Sequence, residues 1–148
     1  LEDYQSAYDW FNLNNCDDDI LTDEQKAKHR EGLEEYSGYE DFFDYVNQSG
    51  LCFDFVSVDT FEDQQRGYWR FQMSWGGPSD EFRIYTDLQN NIEYIEYWYM
   101  DWFDGASIRV NDDVIYDICN MFLSCSDEQS IEDHFKYDEE NGEYEYVY

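Results

Sequence analysis

Thirty-seven acidic residues against eight lysines and arginines leave this chain with a formal net charge of −29, and that surplus limits what it can fold into. An unpaired carboxylate is buried only at a large desolvation cost, so nearly all of these groups have to face water. The interior must come from what remains, and aromatics make up 21% of the chain. Acidic chains that stay disordered are poor in aromatics, so this one is expected to fold. Its 148 residues match one ordinary domain, able to bury about two-thirds of the unfolded surface.

Helical spacing governs the first third. Tyr4, Ala7, Tyr8 and Phe11 fall at i, i+3, i+4 and i+7, which predicts an amphipathic helix over 2–13. Thr22 followed by Gln25 is a capping-box pattern that opens a second helix through about Tyr36. Tyr39, Phe42, Phe43 and Val46 form the apolar stripe of a short third helix ending before Gly50.

The period then falls to two. Residues 51–59 (LCFDFVSVD), 67–75 (GYWRFQMSW), 81–87 (EFRIYTD) and 92–102 read as strands, with turns at GGPSD and LQNN. Short connections between four strands imply an antiparallel four-stranded meander over about residues 51–102. NDDVIYDICNMFLSC reads as a helix capped by Asn111 or Asp112, with Val114, Ile115, Ile118 and Phe122 on one face. Residues 126–148 hold nine acids and one lysine and read as a partly ordered acidic tail or a late edge strand, with Ile131 and Phe135 as anchors. The expectation is a single α+β domain over 1–148, its sheet packed with the N-terminal helices and the C-terminal helix.

The segment YIEYWYMDWFD (94–104) sharpens that reading. On a strand, one face takes Tyr94, Glu96, Trp98, Met100 and Trp102, and the other takes Ile95, Tyr97, Tyr99, Asp101 and Phe103. Neither face is polar, so the strand is placed inside the sheet. Tyrosine can pack its ring and leave its hydroxyl wet, which suits a core built beneath a surface committed to carboxylates.

Few chemistries fit the side chains. Four cysteines (Cys16, Cys52, Cys119, Cys125) without a CxxC, and two distant histidines, argue against a zinc site and for buried free thiols. An EF-hand loop needs glycine sixth and glutamate twelfth; counted from Asp87 those places hold Ile92 and Trp98, and from Asp17 they hold Thr22 and Lys28. Glu96 beside Trp98 and Asp101 beside Trp102 resemble a glycosidase pair, but one residue in four is acidic and such neighbours arise by chance. No GxSxG, P-loop or HExxH signature occurs. The expectation is therefore a protein that is not an enzyme, with no cofactor and no metal. No run of 18 apolar residues exists, and LEDYQSAYDW has no basic segment leading into an apolar one, so a soluble, cytoplasmic protein is expected.

The charge itself points to a partner. Its field repels nucleic acid and anionic membranes and attracts basic surfaces. Duplex DNA carries one negative charge per roughly 1.7 Å of axis, so 29 charges match about 50 Å of duplex, roughly fifteen base pairs. Halophilic adaptation accounts for the acids but not for fifteen tyrosines, eleven phenylalanines and five tryptophans.

Small size, extreme acidity, abundant aromatics and few bases together resemble the acidic DNA-mimic anti-defence proteins of phages and plasmids, the anti-restriction and anti-CRISPR inhibitors. SWGGPSDEFRIYTD and YWYMDWFDGA are similar to segments of small acidic proteins of mobile elements. The resemblance covers composition and implies an inhibitor that occupies the DNA-binding surface of a nuclease or CRISPR effector in the cytoplasm of a bacterial host. The expected interface residues are Asp17, Asp18, Asp19, Glu34, Glu35, Asp101, Asp104, Asp112 and Asp113, with Tyr99 and Trp102 as anchors. An immunity protein against a basic toxin and a carbohydrate-acting or carbohydrate-binding protein are the alternatives. Monomer and homodimer are both compatible with the sequence.

Overall fold

The computed structural model describes residues 2–17, 19–50, 52–62, 64–74, 78–101 and 104–146, with residues 2 and 3 as backbone only. Contacts gather the chain into two compact units, Leu1–Ser49 and Gly50–Tyr148. The architecture is α+β, with a five-stranded antiparallel sheet and several helices.

The first unit holds α1 (Glu2–Asn14), α2 (Asp23–Tyr36) and α3 (Phe42–Ser49). Tyr4, Ala7 and Phe11 are buried as their spacing predicts, and Trp10 joins them. The Trp10 indole N–H donates to the His29 carbonyl at 2.8 Å, and its ring stacks on the His29 imidazole. Gly32 permits that approach, because a Cβ there would collide with the Trp10 ring. The capping box is present: the Thr22 hydroxyl accepts from the Gln25 N–H, and the Gln25 side chain accepts from the Thr22 N–H.

The second unit is built on β1 (Cys52–Val56), β2 (Tyr68–Gln72), β3 (Ser79–Thr86), β4 (Ile92–Asp101) and β5 (Asp104–Val110), in that spatial order. The meander therefore has five strands rather than the expected four. β5, with the sequence DGASIRV, has no aromatic alternation and is exposed from Asp104 to Arg109. It is a strand because it pairs with β4, not because it buries a face. β4 consequently lies inside the sheet, as YIEYWYMDWFD suggests. β3 starts at Ser79, earlier than its hydrophobic pattern, since Ser79 and Asp80 pair with Met100 and Tyr99.

Phe53, Phe71, Phe82 and Tyr97 are successive register partners on one sheet face. α4 (Asp113–Ser124) covers that face: Phe122 stacks on Phe53 with centroids 4.7 Å apart and lies 5.1 Å from Phe71. Ile84 and Ile95 beneath are fully buried. The residues after α4 form α5 (Ile131–His134) and a hairpin of β6 (Lys136–Asp138) and β7 (Glu143–Glu145). Two backbone bonds fix α5 to the β1–β2 connection, from Val58 N–H to the Asp133 carbonyl and from Gly67 N–H to the His134 carbonyl. Phe135 is a buried anchor, and Ile131 is half-buried.

All four cysteines are free, but only Cys119 is buried; Cys16, Cys52 and Cys125 are exposed. The expectation of buried thiols is corrected for those three: Cys16 lies in the loop after α1, Cys125 caps the C-terminus of α4, and Cys52 opens the edge strand β1. Among the described residues, no helix is long and apolar enough to cross a membrane.

Candidate functional site

Asp17 and Asp19 are exposed in the loop between α1 and α2, and Glu34 and Glu35 are exposed in the last turn of α2. Glu35 borders a hollow of about 380 Å³ shared with Asp9 and Glu31. In the second unit Asp101 and Asp104 face each other across the β4–β5 hairpin, both exposed, and Tyr99 beside them is 45% exposed. β5, roughly 20 Å long, separates that pair from Asp112 and Asp113. Asp112 is the N-cap of α4, its carboxylate accepting the Val114 and Ile115 N–H groups, while Asp113 is exposed. Asp18 and Trp102 lie outside the described residues. Glu96 and Asp101, five apart on β4, project from opposite faces of the sheet. They do not converge as a catalytic pair would. Among the described residues no group of three or more His, Cys, Asp or Glu side chains could hold a metal ion.

The sheet face away from α4 carries a feature that composition conceals. Asp54, Arg70, Arg83, Glu96 and Arg109 are successive register partners across all five strands. The four arginines of the second unit are these three and Arg66, and each is held against acids or rings. Arg70 makes a bidentate bond to Asp54, at 2.7 and 3.0 Å. Arg83 donates to Glu81 at 2.9 Å and lies over Trp98 and Tyr68, at 4.0 and 4.9 Å from the ring centroids. Arg109 lies 3.9 Å from the Tyr94 centroid. Arg66, at the end of the sheet, donates to Glu93 at 3.2 Å and to the Thr86 carbonyl at 2.7 Å. A guanidinium is weakly hydrated and planar, so it suits such stacked, partly buried places where lysine would not.

Next to this row stand Tyr68, Tyr85 and Tyr94, with Tyr85 stacked on Tyr94 at 4.5 Å. Together with Phe61, Glu62, Gln64, Gln65 and Arg66 they line an open pocket of about 470 Å³. Both pocket arginines pair with acids outside its lining, Arg66 with Glu93 and Arg83 with Glu81. The acids that do line it are Glu62 and Glu96, and among the described residues neither has a basic nitrogen within 4.0 Å. Glu96 instead takes hydrogen bonds from the Tyr85 hydroxyl and, at 3.5 Å, from the Trp98 indole. Burial, and then the Glu96 charge, push the Tyr85 hydroxyl well above the usual phenol range.

No protein-family model, curated protein or solved structure matches the chain. Function has to be read from the surface itself. The arginine row was open to sequence reasoning, because Arg70 stands two residues from Tyr68 and Arg83 two from Tyr85. That period-two spacing puts each pair on one strand face. What the spacing could not supply is the register that sets Arg70 beside Arg83 and Arg83 beside Glu96.

Proposed function

We propose that the protein is a non-enzymatic inhibitor that imitates the charge of nucleic acid and blocks the DNA-binding surface of a defence nuclease or CRISPR effector. The observation that carries this reading is the partition of charge. Among acids whose side chains are described, Glu81 alone is buried, while the arginines of the second unit are gathered on one sheet face. Anionic groups thus dominate the rest of that unit, and Asp17, Asp19, Glu34 and Glu35 extend the pattern over the first. A surface of this kind can take the place of phosphates and release the counterions of a basic channel as DNA does. The exposed rings, Tyr99 among them, supply desolvated contact area of the sort found at interface hot spots. Such a target is met in the cytoplasm of a bacterial host, and the same field keeps the protein from binding nucleic acid or anionic membranes directly.

The test is a competition assay with a restriction or CRISPR effector, labelled duplex DNA and increasing protein. The expected result is displacement of DNA, with an affinity that falls as steeply with salt as that of DNA. Neutralising Asp17 and Asp19 together, or Asp101 and Asp104 together, should weaken it in steps. If DNA stays bound while the protein binds the same target elsewhere, the mimic reading fails and an immunity protein or allosteric inhibitor takes its place.

A further inference from the structure

We infer that the pocket on the arginine-bearing sheet face receives an arginine side chain of the target protein, an inference that rests on the reading above. The pocket is neither a core defect nor part of the acidic exterior. Its volume, about 470 Å³, is in the range of ligand sites. Its walls combine ring surface with two carboxylates, Glu62 and Glu96, that make no ion pair among the described residues. Glu96 is set between Arg83 and Arg109 in register but has no basic nitrogen within 4.0 Å among those residues, whereas Arg66 and Arg83 are paired with acids outside the lining. A positive group entering it therefore finds two carboxylates not engaged in an ion pair. The geometry also says which kind of cation. Along this face every ring-stacked cation is a guanidinium: Arg83 over Trp98, Arg109 over Tyr94, Arg66 over Tyr85. A further guanidinium, lying against Phe61 with its N–H groups toward Glu62 and Glu96, extends the same pattern. Phe61 is 52% exposed at the rim and gains burial when the pocket fills. A hydrated ammonium would use the charges but not the rings.

N-acetyl-arginine methylamide is the probe, titrated into isotopically labelled protein in roughly 0.15 M NaCl, where exposed charges are screened beyond about 8 Å. Chemical-shift changes should concentrate at Phe61, Glu62, Gln64 and Gln65 and at the Trp98 indole. The uncharged citrulline analogue should give none, and the lysine analogue weaker ones. Glu62→Gln should reduce affinity roughly tenfold, the weight of one charge-assisted hydrogen bond. Phe61→Ala, at an exposed position that folding does not depend on, should also weaken it. Shifts spread evenly over the acidic surface, or an affinity unchanged in both variants, would overturn the inference. The two readings fail separately. Probe binding without displacement of DNA from an effector removes the inhibitor and leaves the pocket; displacement undiminished in the Glu62→Gln, Phe61→Ala double variant does the reverse.

Discussion

Arg83 lies over the Trp98 ring, its guanidinium carbon 4.0 Å from the centroid, and the same guanidinium neutralises Glu81, whose side chain is only 5% exposed. One arginine thereby holds a buried acid on its own strand and a ring on the next. Arg83→Met keeps the bulk but leaves Glu81 buried and uncompensated, which should lower stability by about 3 kcal/mol. Arg83→Lys keeps the charge and loses the planar stack, so its loss should be smaller. Urea unfolding midpoints decide the matter; equal midpoints for Arg83→Met and the unaltered protein would show that Glu81 finds another partner.

Salt should stabilise the fold. Three ion pairs among the described residues leave most carboxylates facing like charges, and Asp101 stands directly across from Asp104. Raising ionic strength to about 0.5 M shortens the Debye length to well under 10 Å and relieves that repulsion. The melting temperature is expected to climb over this range and then level off. A fall would mean that ion pairs outweigh repulsion, and a continued need for molar salt would favour halophilic adaptation.

Thiol reactivity should divide the cysteines by burial. In the unfolded protein without reductant, all four should titrate. In the native protein Cys16, Cys52 and Cys125 should be labelled while Cys119 is spared, since burial removes access and pushes its thiol up to about 12. Peptide mass mapping after alkylation reads this directly. Labelling of Cys119 at the rate of the others would mean that α4 opens.

His134 should make stability fall in mild acid. Its imidazole is fully buried, and neither ring nitrogen has a hydrogen-bond partner among the described residues. Burial, then the charge of Arg66, lower its pKa, against the weaker opposite pull of Asp133, Glu93 and Asp87. The folded state thus binds the proton less readily than the unfolded one. The stability due to neutral His134 is full above the unfolded value of about 6.5 and is lost as pH falls below it, by up to roughly 1.4 kcal/mol per pH unit. Between about pH 7 and 5, His134→Phe should flatten the slope whatever it does to overall stability. An unchanged slope in that variant would place the pH response in other groups.

How much of this was legible beforehand varies by element. α1, α2 with its capping box, and α4 with a cap at Asn111 or Asp112 were written in local spacing, because helix periodicity and capping act over four residues or fewer; the structure chooses Asp112. β5 was not, since its strand character comes from pairing with β4 while its own side chains stay in water. For the site, the exposure of Asp17, Asp19, Glu34 and Glu35 followed from charge alone. The pocket did not, because it takes residues from the β1–β2 connection, β2, β3 and β4.

By itself, then, the sequence determined that carboxylates would line the surface and aromatics fill the interior, since desolvation forbids the reverse arrangement for −29 net charges. It also set the alternation that puts Arg70 with Tyr68 and Arg83 with Tyr85 on one strand face. Only the tertiary structure decided which strands stand side by side. Strand register is a long-range choice, and it alone joins Asp54, Arg70, Arg83, Glu96 and Arg109 into one row. The Arg83–Glu81 pair, two residues apart on β3, is local, whereas the tertiary structure brings Glu93 to Arg66 and turns Glu62 and Glu96 toward the pocket.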